Sequence, residues 1–143
     1  MEDYSLQTIL TSKIEAGDFS SGGEASSNLK EILRKLGVSS DIIRKIAIIT
    51  YELEMNIIIH SVGGKLKARV SPQVVKVIAT DKGPGIEDVD KAFQPGFSTA
   101  SDSIREMGFG AGMGLCNIKQ CSDQLDVETE LNVGTTIVAS ICL

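Results

Sequence analysis

Long apolar runs are missing from this chain: none approaches the roughly 20 residues that a bilayer-spanning helix needs. Met1-Glu-Asp-Tyr-Ser5 also lacks the basic start and apolar centre of a secretion signal. A cytoplasmic protein without a membrane partner is expected. Basic clusters are missing too. No run of Lys or Arg exceeds a couple of residues and the formal charge is -5, so the phosphate-backbone footprint of a nucleic-acid binder is absent. Cys116, Cys121 and Cys142 are odd in number and form no C-x-x-C, which argues against a disulfide framework and against a zinc site. All three are expected to be reduced, small core residues.

At 143 residues the chain has the usual size of one domain, and a single domain over 1–143 is expected. Ser5 to Ile14 alternates as an opening strand. A Ser/Gly loop from Gly17 to Gly23 precedes a polar helix ending near Gly37. Ser39 or Ser40 can cap a second helix, whose stripe Ile42, Ile46, Ile49, Leu53, Ile57 recurs at helical spacing and places it on a sheet; Gly63-Gly64 ends it. Lys65 to Val70 and Gln73 to Thr80 form two strands about a turn at Ser71-Pro72, with Asp81 following the second. From Gly83 to Gly112 the chain is rich in Gly, Pro, Ser and Thr and suits a lid with a short helix inside. Helical character resumes from Met113 to Ser122. Leu125 to Glu130 and Thr135 to Cys142 close the chain as a strand pair turning at Asn132-Val-Gly134.

What is present, between Tyr51 and Leu115, is a series of three polar and glycine motifs: Glu52-x-x-x-Asn56, Asp81-x-Gly83-x-Gly85 and Gly110-x-Gly112-x-Gly114. Each is weak alone; their order and spacing are the signal. Glu52 and Asn56 stand one turn apart on one flank of the second helix, at the edge of its apolar stripe. An amide there could engage a hydrated Mg²⁺ that bridges phosphates, and the carboxylate could take a proton from an incoming hydroxyl. Without chemistry, the same pair is an N-terminal-side Glu and a hydrogen-bonded Asn. Helical arithmetic sends Glu54 to the solvent side and His60 into line with the apolar stripe, as a core or supporting imidazole.

Asp81-Lys-Gly-Pro-Gly-Ile86 follows a buried strand. A strand-end carboxylate can accept from an exocyclic amino group, Gly83 and Gly85 let backbone approach a flat ring, and Ile86 can pack on it; an ordinary Asp-Gly turn stiffened by Pro84 is the plainer reading. Gly110-Ala111-Gly112-Met113-Gly114-Leu115 leads into a helix, where free amides favour anionic phosphates. A dinucleotide-binding G-x-G-x-x-G fails because no strand precedes the glycines and Leu115 stands where the third would be. A P-loop ending in Gly-Lys-Ser/Thr is absent.

In this order the three motifs resemble the N, G1 and G2 boxes of the GHKL superfamily (gyrase, Hsp90, histidine kinase, MutL), over about Ser39 to the end. The resemblance implies the Bergerat fold: an α+β, two-layer α/β sandwich whose mixed, mainly antiparallel sheet carries helices on one face. It makes ATP and Mg²⁺ the cofactors, Asn56 the Mg²⁺ ligand, Asp81 the adenine anchor and Glu52 the general base. Gly110, Gly112 and Gly114, with Ala111 and Met113 between them, would hold the phosphates. Thr135, matching the family's late Gly-Thr pair, would support Asp81 through the adenine amino group or a water.

Gyrase-, MutL- and Hsp90-like proteins attach a further domain, and histidine kinases carry their phosphoacceptor on a separate helix, whereas the only histidine here, His60, lies in the N-box helix. The run Glu52-Leu-Glu-Met-Asn56-Ile-Ile-Ile-His60, with Gly96-Phe-Ser-Thr99, is closest to the bacterial anti-sigma and switch serine/threonine kinases associated with stressosomes. That resemblance implies ATP-dependent phosphorylation of a STAS-domain antagonist, a sigma factor as a further partner, and room for a homodimer. The lid from Ser98 to Phe109 is longer and more charged than in switch kinases; Arg105 in it is either a γ-phosphate contact or a solvated lid charge. Two other functions stay open: a nucleotide-gated module that sequesters its partner with little phosphoryl transfer, and simple ATP hydrolysis.

Overall fold

Strict alternation in the Lys65–Val70 stretch sets the architecture. Leu66 and Ala68 are buried while Lys65 and Lys67 stay exposed, the pattern of a strand with one face on a core and one in water. A computed structural model describes residues 6–86, 89–94 and 114–143. Within them lie strands β1 (Gln7–Ile14), β2 (Gly64–Val70), β3 (Val74–Lys82), β4 (Gln124–Glu130) and β5 (Gly134–Cys142), and helices α1 (Glu24–Lys35), α2 (Ser40–His60), α3 (Val89–Ala92) and α4 (Gly114–Cys121). The strands form one sheet in the order β1-β2-β3-β5-β4. Every pairing among the described strands is antiparallel, so the mixed sheet implied by the resemblance is fully antiparallel here.

The core lies between the sheet and α1, α2 and α4, and includes Leu66, Val77, Ile137 and Ala139 from the strands. From α2 come Ile46, Ile49, Leu53 and Ile57, each at most 1% exposed, as the stripe requires; Ile42 at its start is only partly buried. Burial extends round the helix to Ile43, Thr50, Met55 and Ile58, because α1 and α4 flank it as well. The hydroxyl of buried Thr50 donates to the Ile46 carbonyl at 2.7 Å, which satisfies a polar group that burial would otherwise penalise.

Boundaries differ from the sequence reading in two places that matter. Ser39 occupies the N-cap of α2 with extended backbone but makes no side-chain cap bond, and the helix stops at His60, ahead of Gly63-Gly64. Asp81 does not follow β3; it lies inside it, paired with Gly64 on one side and Thr135 on the other. Of the three cysteines, Cys116 is buried, Cys121 intermediate and Cys142 exposed. Cys142 departs from the expectation because alternation along β5 turns it outward after buried Ile141. No helix among the described residues is long and apolar enough to cross a membrane.

Candidate functional site

Glu52 is half-buried on α2 and meets the start of α4. A Cβ built on Gly114 would lie 2.7 Å from the Glu52 Oε2, so the bare glycine makes room for the carboxylate. Asn117, one turn further along α4, stands beside the same carboxylate and favours its charged form. Burial pushes the Glu52 carboxyl above its ordinary value, and Asn117 partly offsets this. The outcome is an oriented carboxylate with raised proton affinity, as a general base needs.

Asn56 and His60 follow at one-turn intervals on α2, both half-buried. Burial holds His60 below the usual imidazole range, as expected for a supporting group rather than a cation. Beyond His60 the chain is tied to β3: Val62 N–H donates to the Lys82 carbonyl at 2.9 Å and Lys82 N–H to the Gly63 carbonyl at 3.0 Å. A Cβ on Gly83 would stand 3.2 Å from the Ser61 Cα and 3.4 Å from the Asp81 Oδ1. The flank carrying Glu52 and Asn56 therefore runs from the start of α4 to the end of β3 that holds Asp81.

Asp81 is half-buried, and desolvation raises its carboxyl while a backbone hydrogen bond from Thr135 opposes the rise. Thr135 is buried, and its hydroxyl shares a 2.9 Å hydrogen bond with that of Thr129. The Thr129 oxygen accepts from the Ile86 N–H at 2.8 Å, which fixes the loop after Asp81 on the β4-β5 hairpin. Gly85 has φ 78° and a Cβ there would strike the Glu130 carbonyl oxygen at 2.7 Å. Its glycine is thus demanded by chain packing, whereas Gly83 lies beside the Asp81 carboxylate. Gly110, Ala111, Gly112 and Met113, with Gly96 to Thr99 and Arg105, lie outside the described residues; of the last motif, Gly114 is the first residue of α4.

Glu54 overturns the helical arithmetic. It is 2% exposed, and its carboxylate accepts from the Gly23 N–H at 2.8 Å and the Ala25 N–H at 3.2 Å. Helix α1 begins after Gly23, whose φ is 95° and which has no side chain to cap it. Glu54 supplies the missing cap from α2. The flank of α2 that carries Glu54 packs against the start of α1, and the solvent side lies instead at Arg44, Ile48 and Tyr51.

Among the described residues no group of three or more His, Cys, Asp and Glu could hold a metal. A divalent ion held through one amide and the phosphates of a ligand fits this donor set; an all-protein cage does not. A family model described as histidine kinase-, DNA gyrase B-, and HSP90-like ATPase matches residues 41–143. The chain belongs to this ATPase family. The anti-sigma F factor of Thermoanaerobacter sp. (strain X514) is 35% identical over 91 residues, 60% of either chain. The present chain thus matches about three fifths of the length of that relative. The serine/threonine-protein kinase RsbT of Bacillus subtilis (strain 168) is 29% identical over 114 residues, 77% of this chain and 80% of its own. A chain in the crystal structure of the SiaB-SiaC complex from Pseudomonas aeruginosa superposes with a TM-score of 0.64 at 15% identity, over 94% of this chain and 89% of the other. It shares the fold. Asn117 and Thr129 were not singled out in the sequence, and Glu54 was assigned there to the solvent side. For Asn117 a signal existed: it stands one turn after Gly114, at the position of a helix that begins beneath the N-box carboxylate.

Proposed function

We propose that this ATPase-family chain is an ATP- and Mg²⁺-dependent protein serine/threonine kinase of the anti-sigma or switch type, acting on a STAS-domain antagonist in a sigma-factor pathway. The observation that carries the reading is the Glu52 carboxylate, half-buried, beside Asn117 and lying against Gly114 at the start of a helix. A carboxylate serving only solubility would be exposed and unpaired.

From Glu52 to Ser61 the helix rises about 13 Å at 1.5 Å per residue. That spacing sets the two ends of the site apart by roughly the length of a nucleoside triphosphate. Asp81 would hold the adenine amino group at one end, with Gly83 beside it and Thr135 behind it. Ile86, anchored through Thr129, would pack on the base, and Gly85 shapes the turn that carries it. Asn56, midway, would hold Mg²⁺; Gly110, Ala111, Gly112, Met113 and Gly114 would receive the phosphates. Bound there, ATP supplies the phosphoryl group and Mg²⁺ neutralises its charge. Glu52 takes the proton from a serine or threonine hydroxyl as that oxygen bonds to the γ-phosphorus. The bond from the γ-phosphorus to the bridging oxygen breaks, and ADP leaves. Asn117 positions the carboxylate for that transfer.

The names of the relatives, anti-sigma F factor and serine/threonine-protein kinase RsbT, support both halves of the proposal. Two measurements test it: calorimetric titration of ATP with Mg²⁺ into the wild type and Asn56→Ala, and incubation with labelled ATP and STAS-domain proteins of the same genome. Binding lost in Asn56→Ala, and label on an acceptor serine or threonine that Glu52→Gln abolishes, is the expected result. ATP binding without label on any acceptor would instead make the chain a nucleotide-gated binding module.

A further inference from the structure

One flank of Glu52 meets α4, and the residue also lines an open groove between α1 and the first half of α2. The groove has a volume of about 500 Å³, and its walls include Lys30, Arg34 and Arg44, with Glu52 as the one acidic residue lining it. On a chain with 19 acidic and 14 basic residues this is a local inversion of sign. Lys30 and Arg34 stand one turn apart on α1, so both heads face the same channel. Arg44 pairs with Asp41 at 3.7 Å, but both side chains are largely exposed, at 75% and 88%. Such a pair holds its partners weakly.

The remaining walls are apolar. Ile43 and Ala47 line the channel, and Ile48 and Tyr51, which line it too, are each 38% exposed. Large apolar side chains presented inside a charged rim mark a protein-docking groove. A phosphodiester backbone would find no use for the apolar walls and would meet the Glu52 carboxylate. Between Ser40 and Glu52, both in the lining, α2 rises about 18 Å, the length of a three-turn helix.

We propose that the α1-α2 groove docks an acidic, amphipathic segment of the acceptor protein, delivering its phosphoacceptor hydroxyl to Glu52 from the side opposite α4. The apolar side chains of that segment pack on Ile48 and Tyr51, and its carboxylates face Lys30, Arg34 and Arg44. The docking half stands on the groove alone; the delivery half rests on the kinase reading.

The test uses the full chain and the STAS-domain proteins named above, with Lys30→Glu/Arg34→Glu as one variant and Ile48→Ser as a second. ATP affinity and the thermal midpoint are measured for each, so that misfolding is seen directly. With an acceptor that becomes labelled, the expected result is a KM for the acceptor raised at least tenfold in both variants, with kcat within about twofold and ATP affinity unchanged. Substituting Lys for acidic residues of the acceptor should restore KM in the double charge reversal and not in Ile48→Ser. An unchanged KM in correctly folded variants overturns the docking and leaves the kinase reading intact. Binding of a STAS-domain protein without phosphoryl transfer, lost in both variants, supports the docking while the kinase reading fails. No binding of any of these proteins to the wild type, or loss in the variants of affinity for a 20-nucleotide RNA alone, overturns it.

Discussion

The Glu52 carboxylate occupies the space that a side chain at position 114 would need: a Cβ on Gly114 would approach the Oε2 to 2.7 Å. Gly114→Ala separates stability from catalysis for that reason. The crowded atom is the far end of a flexible side chain, so Glu52 swings aside at little cost, and alanine gains up to about 1 kcal/mol of helix propensity over glycine. The expected outcome is an unchanged or slightly raised thermal midpoint with phosphoryl transfer down at least tenfold. Loss of both together would show that Gly114 serves folding alone.

Asp81→Asn should weaken ATP while leaving the fold intact. The carboxylate of Asp81 is desolvated, which raises its pKa and makes its charged form unfavourable, so an amide in its place costs the sheet little. Losing a charged acceptor for an exocyclic amino group costs about 1.5–3 kcal/mol, or roughly ten- to a hundredfold in affinity. Calorimetry with ATP, set beside urea unfolding, reads both effects. Undiminished ATP affinity would remove Asp81 from the site.

Thr129→Val removes the acceptor of the Ile86 N–H and the hydroxyl partner of Thr135. Each net hydrogen bond is worth about 1 kcal/mol, so a stability loss of about 1–2 kcal/mol is expected. ATP affinity should fall severalfold as the loop after Asp81 loosens. Thr129→Ser, which keeps the hydroxyl, should recover most of both; failure to recover would assign the effect to packing.

Glu54→Ala should be the most damaging of these substitutions to the fold. It strips the Gly23 and Ala25 amides of their acceptor and leaves a cavity between α1 and α2, a loss of about 2–4 kcal/mol in urea unfolding. The pH dependence has a definite sign. Burial raises the Glu54 carboxyl above the ordinary glutamate value of 4.5, against the opposing pull of the two amides. The folded state therefore binds the proton more tightly than the unfolded one, and stability falls as pH rises from about that value through the folded pKa. The stability of the wild type relative to Glu54→Gln should decline over that interval. A relative gain with rising pH would contradict the assignment.

Most of the frame was legible because each element has a periodic signature. The stripe from Ile46 to Ile57 on α2, the alternation of β2 and β3, and the turn at Asn132, with its φ of 65°, need only local rules. What escaped the sequence depends on which elements become neighbours. Glu54 lies on the side of α2 that local arithmetic sends to water, and only the arrival of α1 makes it a buried cap. Asn117 and Thr129 gain their roles from Glu52 and Ile86, 65 and 43 residues earlier in the chain. Spacing also ends the strand too early, at Thr80: it continues through Asp81 because Gly64 and Thr135 pair with that residue.

Those pairings carry a final consequence. Gly64 and Gly134 stand in the strands on either side of Asp81, and a Cβ on the first would collide with the Thr80 carbonyl, on the second with the Asp81 carbonyl. At both positions the backbone of β3 occupies the space that a side chain would need, so only glycine fits. The identity of the residue at 81 is therefore open to exchange, while its mounting is not: variation can retune what this end of the cleft recognises far more easily than it can move the cleft.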